Sequence, residues 1–96
     1  MHYLYIESLV KSDFAPKISY LELGEDRYET RKIYIMEDDS IAYADSTVEY
    51  GDTGLSDRPI PEIEVIHRQG FDFAKEITKE EFETFWNKYV LGQGNG

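Results

Sequence analysis

The sequence predicts an α+β domain: an antiparallel four-stranded meander with a C-terminal helix packed on one face and a short second helix. Three observations lead there. Residues 77–92, I-T-K-E-E-F-E-T-F-W-N-K-Y-V-L-G, repeat apolar side chains at helical spacing. Four upstream segments alternate side chains with the period of two that strands impose. Apart from the first loop, their connections are short, which favours hairpins over the crossover helices that parallel strands require.

The C-terminal helix carries its own start signal. Thr78 followed three residues later by Glu81 forms a capping box, in which hydroxyl and carboxylate each satisfy a backbone N–H of the first turn. Ile77 and Phe82 are spaced as a hydrophobic staple, and Phe82, Phe85, Trp86, Tyr89 and Val90 line one side. Lys88 suits the negative end of the helix dipole, and Gly92 is placed to end the helix in a left-handed conformation.

The first strand spans His2 to Ser8, with Leu4 and Ile6 on one face and Tyr3 and Tyr5 on the other. Leu9 to Lys17, mixed in polarity and containing Pro16, reads as a loop. Ile18 to Leu23 is the second strand, closed by turn residues Gly24-Glu25-Asp26. Arg27 to Met36 is the longest strand. Its alternation sets Ile33 and Ile35 with Glu29 and Arg31, against Tyr28, Thr30, Lys32, Tyr34 and Met36. The acids Glu37-Asp38-Asp39 break the pattern before Ile41 to Asp45 resumes it. Tyr50 to Pro61, rich in Gly and Pro, is an irregular surface connection. Pro61 opens a short helix, Glu62 to Arg68, that turns Ile63, Val65 and Ile66 inward. Phe71 to Glu76 is either a fifth short edge strand or extended linker. Residues 1–92 form the single domain and 93–96 a flexible tail.

Matching the helix to the sheet, the expected core is Leu4, Ile6, Leu21, Leu23, Ile33 and Ile35 beneath the C-terminal helix. The opposite face would then display Tyr3, Tyr5, Tyr20, Tyr28, Tyr34 and Met36, with Tyr43 as a further member. Tyrosine combines large contact area with a polar tip, so such a face suits a protein partner.

Composition narrows the function classes. The 96 residues carry a formal net charge of −10, which opposes nucleic acid and anionic lipid. Residues 22–57 hold eleven of the acids against three bases. There is no cysteine, and neither a signal peptide nor a membrane span is recognisable, so a cytoplasmic location is expected. His2 and His67 lie far apart without metal-ligand spacing, and Glu37-Asp38-Asp39 lacks the alternate ligands of a calcium loop. Gly51-Asp52-Thr53-Gly54 lacks the lysine of a phosphate cradle. No catalytic residue, metal site or cofactor is expected.

M-H-Y-L at the start, R-Y-E-T-R-K-I-Y-I-M at 27–36, I-A-Y-A-D at 41–45, L-S-D-R-P-I-P-E-I-E at 55–64 and E-I-T-K-E-E-F-E-T-F-W at 76–86 together resemble a family of small acidic bacterial proteins defined only as a domain of unknown function. The resemblance spans most of the chain. Tyr34 stands where an acid is usual, Met36 where Phe is usual, and Asp39 where a turn glycine is usual. The family brings no activity, and its character implies a toxin-neutralising, immunity-protein role as one reading.

The leading expectation is therefore a non-enzymatic protein that binds and inhibits a basic partner, a toxin or nuclease, as a monomer or weak dimer. The contact residues would be Tyr3, Tyr5, Tyr20, Glu25, Asp26, Tyr28, Tyr34, Glu37, Asp38 and Asp39. The alternative is a small ligand-binding domain or enzyme with a pocket between the 50–68 segment and the sheet, lined by Tyr43, Tyr50, Arg31 and His67. A third reading is a self-associating structural module.

Overall fold

A computed structural model describes residues 1–51 and 53–92. In chain order the elements are β1 (His2–Ser8), β2 (Ile18–Leu23), β3 (Glu29–Ile35), β4 (Ile41–Asp45), β5 (Glu49–Tyr50), α1 (Ile63–Gln69), β6 (Asp72–Glu76) and α2 (Lys79–Tyr89). They form one antiparallel sheet in the order β5-β4-β3-β2-β1-β6. The four expected strands are its centre, and Asp72–Glu76 is the edge strand beside β1. The sixth strand, β5, is too short to show a period. It is seated by the Tyr43 and Tyr50 rings, stacked at 4.9 Å, and by Gly51 at φ 80°, where a Cβ would stand 2.7 Å from that of Ala42. Only glycine permits that approach. The expected tail, 93–96, lies outside the described residues, as does Asp52.

The face assignment differs from expectation. Cross-strand partners share a face, and the register places Tyr5 opposite Tyr20, Tyr20 opposite Ile33, and Ile33 opposite Tyr43. The tyrosines and Ile33/Ile35 therefore form one surface, and α2 lies on it. Its Phe82, Trp86 and Val90 are buried there with Tyr3 and Tyr20, and Phe85 stacks on Tyr20 at 4.3 Å. Each fully buried large apolar side chain contributes roughly 1.5–3 kcal/mol. Leu4, Leu21 and Leu23 form a second core on the opposite face, covered by Ile60 and Ile63. Alternation within a strand shows which residues go together, but not which set of one strand joins which set of the next.

A second difference arises at Thr30. Glu22 pairs with Arg31 and Leu23 with Glu29, so Thr30 is the extra residue of a bulge. Glu29 is thereby turned to the face opposite Arg31, not alongside it. The Thr30 hydroxyl donates to the Glu22 carbonyl at 3.1 Å and carboxylate at 2.7 Å.

The helix start was legible to the residue: Thr78 caps α2, its N–H donating to Glu81 Oε1 at 3.0 Å while the Glu81 N–H donates to Thr78 Oγ1 at 3.1 Å. The end was not. Val90 closes α2 in right-handed conformation, and Gly92 has no positive φ; the left-handed cap belongs to Gly70, at φ 82°, after α1. α1 begins one residue later than expected, with Glu62 as its N-cap, and buries Ile66.

Arg27 ties the connecting segment to the sheet. Its Nε donates to the Ile60 carbonyl and its Nη2 to that of Pro61, both at 2.7 Å, while the Ile60 N–H donates to the Arg27 carbonyl at 2.9 Å. At the β6 edge, His67 Nε2 lies 2.8 Å from the Ala74 carbonyl oxygen and 3.1 Å from its nitrogen. The tautomer decides which of the two it serves.

Candidate functional site

Antiparallel strands sort their connections to opposite ends. The Leu9–Lys17 loop, the Met36–Ser40 turn and Phe71 lie at one end, and the Gly24–Tyr28 turn at the other. The five acids expected to act together are therefore divided. Glu25 accepts from the N-terminal ammonium at 3.0 Å and pairs with His2; the ammonium first, and His2 after it, hold its carboxyl below the usual range. Asp26 accepts from the Tyr28 N–H at 3.1 Å. At the other end, Ser40 holds the Asp38 carboxyl low through hydroxyl and backbone bonds, and Asp39 pairs with Lys17. Glu37, Asp38 and Asp39 share one turn.

The expected tyrosine surface is largely consumed by packing. Tyr3 and Tyr20 are buried under α2, and burial raises both phenols above their ordinary pKa. Tyr5 packs at the border of that core and donates to Glu7 Oε1 at 2.6 Å, a bond that pushes its pKa up to about 12. Tyr34 lies on the other face against the Leu4 core. Tyr28 is exposed, but at the opposite end from Glu37.

Exposed large apolar residues are spread over the surface, Met1, Tyr28, Val48, Tyr50, Phe73 and Leu91 among them, but the most exposed stands on the loop between β1 and β2. Leu9, Val10, Phe14 and Phe71 are all exposed, and Phe14 is 96% exposed. The Leu9 N–H donates to the Phe71 carbonyl at 2.9 Å, joining the two segments, and the Lys17 N–H donates to the Ile35 carbonyl at 2.9 Å. Ser8 and Ser12 hydroxyls brace the turns within the loop. Carboxylates of Asp13, Glu37, Asp38, Asp39 and Asp72 stand on the same loops and strand ends, with Lys11 and Lys17 as the counterweight. A depression of about 470 Å³ runs between Leu9, Lys11, Lys17, Ile18 and Glu37. The signal available in sequence was three large apolar side chains inside a Pro-containing polar loop.

Two buried charged groups flank the sheet. On the α2 face, Arg31 donates to Glu22 at 2.9 and 2.7 Å and to Glu83, with its guanidinium 4.9 Å from the Phe82 and Trp86 ring centres. Burial alone would raise the Glu22 carboxyl, but the Arg31 and Thr30 hydrogen bonds outweigh it and hold the carboxyl below its ordinary value. On the other face, Lys32 pairs with Glu29 at 3.2 Å and donates to the Tyr34 hydroxyl at 3.2 Å, and the Ser56 N–H donates to Glu29 at 2.7 Å. Each carboxylate meets a cation and backbone or hydroxyl donors, an arrangement that fixes strands.

The pocket expected to unite Tyr43, Tyr50, Arg31 and His67 is not assembled. Tyr43, Tyr50 and Arg31 belong to the α2 face, while His67 sits against Ala74 at the far edge. A cavity of about 250 Å³ does lie beneath the connecting segment, on the other face. It is lined by Ile6, Leu21, Ile60 and Pro16 together with Ser8, Ser19, Ala15, Glu29, Tyr34 and Asp72.

Among the described residues, no three His, Cys, Asp or Glu side chains converge as a metal site, and no helix is long and apolar enough to cross a membrane. No match was found among curated proteins or among solved structures. One family does match, and over nearly the whole domain: with residues 2–91 aligned to its profile, the chain belongs to the domain of unknown function DUF6881.

Proposed function

We propose that this protein is a non-enzymatic binding protein that captures a basic protein through the loop-bearing end of its sheet. The observation that carries this reading is Phe14, fully presented to solvent on the loop between β1 and β2, at the end of the sheet where Leu9, Val10 and Phe71 are exposed as well. Leaving such side chains exposed forgoes burial of roughly 1.5–3 kcal/mol each, and large apolar side chains held out among polar residues suit a protein contact. Desolvated aromatic anchors at the centre with charges on the rim would give affinity and steering respectively.

Charge selects the partner. The net charge of −10 and the acids of this end repel a second copy and attract a cationic surface. A basic toxin or nuclease fits best, neutralised by covering the surface with which it meets its anionic substrate; the small size and net charge of −10 of this chain suit that form of the activity. The experiment is isolation of the partner from the native host, followed by association kinetics across an ionic-strength series. We expect the association rate to fall steeply with salt and Phe14→Ser to raise Kd at least about tenfold, as for a central anchor. A partner whose association ignores salt and whose affinity ignores Phe14 overturns the proposal.

A further inference from the structure

The cavity under the connecting segment adjoins this same end. Three of its lining residues, Ser8, Ala15 and Asp72, directly precede or follow Leu9, Phe14 and Phe71 in the chain. We infer that the cavity is a socket for a single lysine side chain of the captured partner, an inference that rests on the partner-binding reading above. At about 250 Å³ it is smaller than the roughly 300–1,000 Å³ pockets that hold drug-sized ligands. Ile6, Leu21, Ile60 and Pro16 supply an apolar lining for a tetramethylene stem.

The polar lining fits an ammonium head. Glu29 and Asp72 line the cavity; Lys32 already neutralises Glu29 and reaches the Tyr34 hydroxyl in the same lining, so Asp72 is the carboxylate left to meet a partner's ammonium. Ser19 is 8% exposed and lines the cavity with Leu21 and Tyr34, adding a hydroxyl to its polar lining. Asp72 is half-buried and enters no ion pair among the described residues, so it supplies the neutralising charge. A guanidinium is a poorer fit. It wants a planar carboxylate free for two parallel bonds, and the more buried carboxylate here, Glu29, is already held by Lys32 and the Ser56 N–H.

The test titrates ¹⁵N-labelled protein with n-butylammonium chloride at constant ionic strength and neutral pH, with n-butanol and butyrate as separate arms. We expect saturable amide shifts at Ser8, Ser19 and Asp72 in the millimolar range. Butylammonium should bind about fivefold tighter than butanol, the scale of one partly exposed charge pair. Asp72→Asn should remove that advantage, its own spectrum verifying the fold, and Ser19→Val should weaken the ammonium more than the alcohol. Absence of saturable shifts, equal binding of butanol or butyrate, or an unchanged Asp72→Asn response overturns the socket, and saturation at micromolar butylammonium overturns it in favour of a free small amine. Because the probe needs no partner, failure here leaves the Phe14 surface standing, whereas a partner indifferent to Phe14 and salt removes the surface itself.

Discussion

Arg31 and Glu22 face each other on neighbouring strands, and the guanidinium grips the carboxylate through two hydrogen bonds while its flat side rests against the Phe82 and Trp86 rings of α2. The pair thereby couples the sheet to the helix that covers it. Glu22→Gln keeps the shape and removes the charge, leaving Arg31 with Glu83 alone; breaking a buried pair in this way should cost about 3 kcal/mol in urea denaturation at pH 7.

The same pair sets an acid dependence. The Glu22 carboxyl is lower in the folded chain than its ordinary value of 4.5, so its contribution is complete above that pH and is lost as pH falls through the folded-state pKa. Asp45, held low first by the Thr47 N–H and further by its hydroxyl, acts in the same direction. Denaturation midpoints should therefore decline below about pH 4.5, and Glu22→Gln should show a shallower decline. Parallel pH profiles for the two proteins would contradict the assignment.

Phe14 and Phe71 contribute little to the cores described, so their substitution should separate binding from folding. Phe14→Ser and Phe71→Ser should each change stability by less than about 0.5 kcal/mol, as surface substitutions do. A large loss in a thermal melt would place these rings in the packing of the domain.

Asp39 adopts φ 67° at the turn after β3, a conformation that L residues enter at a cost and glycine enters freely. Asp39→Gly should be stabilising by about 0.5 kcal/mol through the backbone, despite losing the exposed contact with Lys17. Equilibrium denaturation decides the sign.

Arg27 also has a positive φ, 66°, yet its side chain holds two carbonyls of the connecting segment. Arg27→Gly relieves the backbone and removes both bonds, whereas Arg27→Ala removes the bonds and keeps the strain. Alanine should lose about 2–3 kcal/mol and glycine about 1 kcal/mol less. Hydrogen exchange should show the Ile60 amide losing protection in both.

What was legible in the chain was what is local. The capping box and the five-residue apolar stripe of α2 depend on spacings of three and four residues, and the structure uses them as read. The choice of face depends on which residues lie opposite one another across strands, and Tyr5 beside Tyr20 looks the same in sequence whichever side a helix covers. Thr30 reversed the side chains before it without any glycine or proline to announce the bulge. The exposure of Phe14 was not legible, because an apolar residue in a loop reads alike whether it folds inward or stands out.

The imidazole of His67 against Ala74 has a consequence for how the molecule behaves in a crowd. Along the outer rim of β6 the Ala74 rung is occupied from within, and the charged Asp72 and Glu76 flank it. An incoming extended chain would have to evict the ring before continuing the ladder, and the opposite rim, two residues long, gives it little to grip. Growth of the sheet from molecule to molecule is thus discouraged at both margins, keeping a two-sided β-layer from templating its own aggregation.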